Sequence, residues 1–288
     1  MTASPPALYL DLLKKTLSFS LWPEPPVPLT LFNYGRPPWK RAIVSALTRV
    51  LSAGGVELVK HREVSSKERE EGRGWPVYAD TMIGLRRLEN LQRCMETVLR
   101  DGVEGDFIET GVWRGGACIF MRGLLAAYGV SDRRVFVADS FQGLPRPNAT
   151  EYPVDAGDSH HVHEFLAVSE ADVRRNFERY DLLDSQVVFL GGWFQDTLPN
   201  ADIQRLAVLR LDGDMYQSTM DAIRALYPKL SPGGFCIVDD YALVGCRKAT
   251  DDYRQENRID AEMVRIDFTA HYWRKPFAPS ARRQTDAP

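Results

Sequence analysis

Nowhere in the 288 residues do 18 apolar side chains run together, so no membrane-spanning helix is expected. The N-terminus carries no basic stretch followed by an unbroken apolar run, so no secretory signal is expected and a cytoplasmic setting follows. Cysteine is scarce. Cys94, Cys118, Cys236 and Cys246 lie far apart and form no CxxC, which argues against a disulfide framework or a thiolate zinc site and predicts free thiols. Charge of one sign is also lacking: 36 Lys and Arg face 39 Asp and Glu, a net charge of −3. No global field therefore recruits nucleic acid or an anionic membrane, and a small molecule is the expected partner. Internal repeats are absent. What remains is 44% hydrophobic and 26% charged, the composition of an ordinary globular chain with a sizeable core.

The chain is organised around residues 206–241. An apolar run over 206–211 ends in Asp212, and a second over 235–238 ends in Asp239 and Asp240. Between them Tyr216, Met220, Ile223, Leu226, Tyr227 and Leu230 recur with helical spacing, and Ser231-Pro232-Gly233-Gly234 closes the stretch. This predicts a strand, a helix and a second, parallel strand. Ligands of open parallel sheets bind beyond the carboxyl ends of the strands, which is where the three carboxylates fall. Asp214, two residues further on, is assigned to the loop or the first helical turn, where the helix dipole accounts for an acid.

Upstream, residues 8–17 and 39–51 have short amphipathic patterns, separated by Pro23, Pro25, Pro26 and Pro28. The charged stretch 61–73 reads as exposed and mobile. Residues 1–74 are thus expected to be an extension: a lid, an oligomerisation arm of a homo-oligomer, or simply a loosely packed arm. The pattern tightens at Trp75-Pro76, with a helix predicted over 81–99. A short strand then leads to Glu109-Thr110-Gly111-Val112-Trp113-Arg114-Gly115-Gly116 and a helix over 117–128. Glycines at a helix N-terminus let a ligand approach the backbone. A second strand ends in Asp139, 28 residues after Gly111, where a carboxylate can accept from both hydroxyls of a ribose.

The insert at 143–166 is irregular and lies on the ligand-binding rim. Its His160, His161 and His163 have no cysteine beside them, and adjacent histidines point apart, so a solvated or substrate-contacting loop is expected rather than zinc. Ser169 is expected to cap a helix with Glu170 and Asp172 in its first turn. A third strand follows at 187–190. It leads into Gly191-Gly192-Trp193-Phe194-Gln195-Asp196, whose aromatic rings could flank an adenine or simply pack the core. A helix around 244–253 and an antiparallel pair at 261–266 and 270–274 finish the domain, taken as residues 75–275, and a disordered tail is expected over 276–288.

The motifs FIETGVWRGGACIFMRG, VADSFQGLP, GWFQDTLP, LRLDGDMYQSTMDAI and VDDY, in this order, closely resemble the macrocin O-methyltransferase family. The resemblance runs from about residue 75 to 272. It implies an α/β, Rossmann-like class I methyltransferase fold: a seven-stranded, mostly parallel sheet, helices on both faces and a C-terminal antiparallel hairpin. It implies S-adenosylmethionine as methyl donor and a glycosylated small molecule as acceptor, as in antibiotic biosynthesis. Carried over by position, Glu109, Thr110, Gly111 and Trp113 would line the methionine end, approached by Thr81 and Met82. Asp139 and Ser140 would hold the ribose edge, and Trp193 and Asp196 would lie by the adenine. Asp212, Asp239 and Asp240 would bind Mg2+; apart from the resemblance, proton-transfer chemistry makes Asp212 the expected general base.

The chemistry agrees with the resemblance. A sugar hydroxyl is a poor nucleophile at neutral pH, and a hard cation held by carboxylates can orient a vicinal diol and lower a hydroxyl pKa. Competing readings are an NAD-type oxidoreductase, a non-catalytic nucleoside-binding scaffold and a methyltransferase for catechols or other vicinal diols. The oxidoreductase shares the glycine turn and ribose acid but leaves the rim carboxylates unexplained.

Overall fold

The computed structural model describes residues 4–29, 37–73 and 77–277. Trp75-Pro76, where the sequence pattern tightens, and all but the first two residues of the expected tail lie outside them. The chain opens with helix α1 (Pro5–Leu17), strand β1 (Val27–Pro28), helix α2 (Pro38–Ala53), strand β2 (Val59–Lys60) and helix α3 (Ser66–Glu71). Then follow α4 (Leu85–Arg100), β3 (Asp106–Thr110), α5 (Gly116–Ala127), β4 (Val135–Asp139), α6 (Glu170–Arg179) and β5 (Val187–Gly191). The last part holds α7 (Phe194–Thr197), β6 (Leu206–Leu211), α8 (Tyr216–Leu226), β7 (Leu230–Val238), α9 (Val244–Glu256), β8 (Val264–Arg265) and β9 (His271–Arg274).

Seven strands form one sheet in the order β5-β4-β3-β6-β7-β9-β8. β3 to β7 pair in parallel, whereas β9 runs antiparallel to β7 and β8 antiparallel to β9. Chain order reverses between β3 and β6, and a ligand cleft is expected at that switch point. β6 is buried at all six positions, as a central parallel strand covered on both faces must be. One face is covered by α1, α4, α5 and α6, the other by α8 and α9.

Several boundaries differ from the sequence expectation, each for a local reason. Helix α4 starts at Leu85 rather than at Thr81, because Gly84 passes so close to Gly72 that a Cβ would collide with its backbone. Thr81, Met82 and Ile83 are thereby left as a loop over the cleft. Ser231-Pro232-Gly233-Gly234 does not end a helix but lies inside β7, at a register shift against β6. Pro228, lacking an N–H, ends the α8 region in a short turn instead.

The stretch 61–73, expected to be mobile, contains α3, held by a capping box between Ser65 and Glu68. α1 is part of the core: Leu10 and Leu17 are fully buried, worth about 1.5–3 kcal/mol each. Leu13 sits where Gly123 of α5 leaves no room for a side chain. α2 is different, since none of its residues is buried and Trp39, Ile43, Leu47 and Val50 are exposed. Ser169 caps α6 as expected, its hydroxyl accepting from Asp172 N.

Candidate active site

A cavity of about 610 Å³ lies beyond the carboxyl ends of β3, β4, β6 and β7. At one end, β3 runs into Gly111, whose φ is +83° and whose missing Cβ admits the backbone of Asp212. Any side chain at 111 would collide with the Asp212 carbonyl, so the glycine turn and the end of β6 are in direct contact. Trp113 also has a left-handed backbone, φ +50°, and its Nε1 donates to Phe165 O at 2.9 Å. That bond ties the far end of the insert to the glycine turn.

Asp139 closes this end. Its Oδ2 accepts Val112 N at 2.8 Å and its Oδ1 accepts Phe141 N at 2.7 Å. Burial raises its pKa and these backbone donors oppose the rise. The carboxylate is thus held rigidly at the cavity, with Ser140 Oγ a further donor to Oδ1 at 3.4 Å. Ser140 also borders the cavity, but its hydroxyl is engaged with Gly143 O at 2.7 Å and Gln142 N at 3.0 Å, shaping the start of the insert.

Thr81, Met82, Glu109, Gly111, Trp113 and Trp193 all border this cavity. Two expected residues do not. Thr110 is fully buried on the opposite side of β3 from Glu109, since successive residues of a strand face opposite ways. Asp196 lies on α7 and points to solvent, whereas Gln195, which sequence reasoning overlooked, borders the cavity.

At the other end the acidic residues separate into two groups. Asp212, Asp214 and Asp240 each present a carboxylate oxygen, and the three lie within 4.8 Å of one another. Asp239 borders the cavity but turns its oxygens to Arg87 and Arg210. Of the expected Asp212, Asp239 and Asp240, all three border the cavity, and the oxygens that lie together are those of Asp212, Asp240 and Asp214. Asp239 and Asp240 follow the end of β7 in a turn, and the two guanidinium groups take up the oxygens of Asp239 while Asp240 faces Asp212 and Asp214. Asp214 reaches the cluster through a left-handed backbone, φ +54°, and its N–H donates to Asp240 Oδ2 at 3.3 Å.

Electrostatics follow this division. Burial and the charge of Asp212 push the Asp214 carboxyl up to about 7. Asp240 is raised well above the usual range by burial and by Asp212 and Asp214. Asp212 is raised by burial and by Asp239, against the opposing pull of Arg210. Beneath them, fully buried Arg210 pairs with Glu109, with Asp239 and with Asp212 at 3.0 Å. Arg87 continues the network to Asp267 at 2.8 Å. Glu109 is pushed up to about 7 by burial despite Arg210, and Cys118 Sγ donates to it at 3.0 Å. The signal for Arg210 was present in the sequence: a lone cation inside the apolar run LAVLRL. Arg87, in contrast, reads as one more polar position of an amphipathic helix.

The sequence model of the macrocin O-methyltransferase (TylF) family matches residues 6–275. The chain belongs to this family. It is a methyltransferase that uses S-adenosylmethionine to methylate oxygen, built on the class I fold. It is 48% identical over 273 residues to mycinamicin III 3''-O-methyltransferase of Micromonospora griseorubida, covering 93% of this chain and 96% of that one. It is 49% identical over 283 residues to the 8-demethyl-8-(2,3-dimethoxy-alpha-L-rhamnosyl)-tetracenomycin-C 4'-O-methyltransferase of Streptomyces olivaceus, covering 98% and 97%. Among solved structures, the O-methyltransferase NovP superposes with a TM-score of 0.80 at 45% identity, over 94% of this chain and 99% of that one. The family match begins at residue 6, so it includes α1, in keeping with the place of that helix in the core. Among the described residues no helix of this methyltransferase is long and apolar enough to cross a membrane.

Proposed function

We propose that this methyltransferase acts on a sugar hydroxyl of a glycosylated natural product and that Asp212, Asp214 and Asp240 hold a magnesium ion at the acceptor end. One observation carries the reading: a three-carboxylate cluster and a ribose-type carboxylate, Asp139, border the same cavity. The donor set fits the ion, since carboxylate oxygens suit magnesium better than zinc. Three acids whose pKa values are raised first by burial and then by neighbouring carboxylates also gain from a bound cation. The ion would supply charge that draws the acceptor's vicinal oxygens into one orientation and lowers the pKa of the reacting hydroxyl.

At the opposite end, Asp139 accepts from the ribose hydroxyls of S-adenosylmethionine, and the opening at Gly111 lets its backbone approach. Trp193 covers the adenine, while Thr81, Met82, Glu109 and Trp113 surround the methionine end. The sulfonium supplies an electrophilic methyl. As the acceptor oxygen forms its bond to that carbon and the carbon–sulfur pair stays with sulfur, Asp212 takes the hydroxyl proton. Arg210, 3.0 Å from Asp212 Oδ2, keeps the carboxylate oriented. Leu144, Leu166, Leu243 and Phe268 form apolar wall around the cavity and exclude water.

Labelled S-adenosylmethionine, incubated with a panel of deoxysugar glycosides with and without magnesium, tests the reading. Because relatives at nearly equal identity are named for 3''- and 4'-O-methylation, the panel should carry each of these hydroxyls free in turn. Label on a glycoside only when magnesium is present is expected. Unchanged transfer after chelation would rule out the metal, and transfer to catechols in preference to glycosides would rule out the sugar acceptor.

A further inference from the structure

The insert between β4 and α6 contains a buried carboxylate that the chemistry above does not use. Asp155 is 3% exposed in a segment that is otherwise half-buried or exposed. Its Oδ1 accepts Tyr216 N at 2.7 Å and its Oδ2 accepts Gln217 N at 3.2 Å. These are the first residues of α8, and Met215 at the head of that helix provides no side-chain cap. The free N–H groups of the helix are therefore satisfied from 61 residues upstream. Packing there is tight: a Cβ on Gly245 of α9 would stand 2.5 Å from Asp155 Oδ1 and 2.8 Å from Tyr216 N. The rings of Tyr152 and Tyr216 meet alongside, with centroids 5.6 Å apart.

We propose that Asp155 is a positioning residue, clasping the insert to the first turn of α8 and so fixing Asp214 and His160 at the acceptor end. Asp214 lies two residues before Tyr216, and its left-handed backbone is held between β6 and that anchored turn. On the other side, Asp155 O accepts Asp158 N at 3.1 Å. Asp158 in turn accepts His160 N at 2.9 Å and lies 2.6 Å from His160 Nδ1. His160 borders the cavity. One buried carboxylate thus sets the distance between a wall of the acceptor pocket and the acidic cluster. The effect on magnesium rests on the function proposed above, whereas the clasp itself does not.

Asp155→Ala and Asp155→Asn test this by three readouts: calorimetry with magnesium, calorimetry with S-adenosylhomocysteine, and amide hydrogen exchange. Asp155→Ala should weaken magnesium binding about tenfold or more, as loss of a residue supporting a ligand does. It should leave S-adenosylhomocysteine affinity within about twofold and speed exchange at Tyr216, Gln217 and residues 156–163. Asp155→Asn keeps one acceptor oxygen and should fall between, and it carries the same comparison if the alanine variant fails to fold. Faster exchange with unchanged magnesium affinity would reduce Asp155 to a helix cap and overturn the positioning role. Unchanged exchange would overturn the clasp. If the wild-type enzyme binds no magnesium, the metal reading fails separately. The positioning role is then decided by the acceptor KM, which should rise in Asp155→Ala while the S-adenosylmethionine KM holds, and an unchanged acceptor KM overturns it.

Discussion

Replacing Asp239 and Asp214 by asparagine, one at a time, should move stability in opposite directions. Asp239 neutralises two buried guanidinium groups, and asparagine would withdraw its charge from both. Each cation keeps another partner, Asp267 at 2.8 Å for Arg87 and Asp212 at 3.0 Å for Arg210. The cost therefore falls at the low end of the range for breaking a buried pair, about 3 kcal/mol. With unfolding entropy near 2.1 cal/mol/K per residue, 288 residues give roughly 0.6 kcal/mol/K, so Tm should drop by about 5 °C. Asp214→Asn instead removes one of three clustered like charges. Its carboxyl stands at about 7 through burial and Asp212. Discounted for its partial exposure, the relief is roughly 1–2 kcal/mol at pH 8, a Tm rise of about 2–3 °C. Scanning fluorimetry without metal reads both shifts, and added magnesium should stabilise Asp239→Asn far more than Asp214→Asn. A fall at Asp214→Asn as large as that at Asp239→Asn would refute the division into counter-ion and metal ligands.

Asp139→Ala should weaken S-adenosylhomocysteine binding strongly, at about 1.5–3 kcal/mol for each charge-assisted bond lost, while leaving acceptor affinity nearly unchanged. It should also lower Tm, because Val112 N and Phe141 N lose their acceptor; an unchanged dissociation constant in calorimetry would take the ribose from Asp139. Asp212→Asn should stay poorly active at saturating magnesium, since an amide cannot take the hydroxyl proton, and an active variant would move the base elsewhere. Asp214 makes ligand-free stability pH-dependent. With its pKa raised to about 7, its contribution is full below the usual carboxylate range and is lost as pH rises through about 7. The Tm gained on adding magnesium should therefore be larger at about pH 8 than at about pH 5.5, and equal gains would contradict the assignment.

Strands and helices of the methyltransferase core were legible because each carries its own period: apolar runs at β6 and β7, 3.6-residue spacing in α4 and α8. Features set by contacts between distant segments were not. Nothing within 231–234 indicates that the chain there continues a strand, since that depends on pairing with β6. The late start of α4, at Leu85, depends on the end of α3 passing beside Gly84. Among the acids, the pairing of Asp239 with Arg87 and Arg210 joins segments far apart in the chain, which no local pattern shows. That Asp214 lies beside Asp212 and Asp240 rests on a left-handed backbone that no local pattern marks. Asp155 was invisible for the same reason, its partners lying on another helix.

The contact between Gly111 and the Asp212 carbonyl bears on how such an enzyme can change its acceptor. It joins the donor-side turn to the acid-bearing strand with no intervening side chain, so the span between the two reaction partners is a dimension of the sheet. Loops can lengthen, shorten or exchange residues without altering it. Redesign for a bulkier or differently decorated glycoside therefore has free ground in the insert and the 81–83 loop. Position 111 offers none, because even one added methyl group would push the donor and acceptor platforms apart.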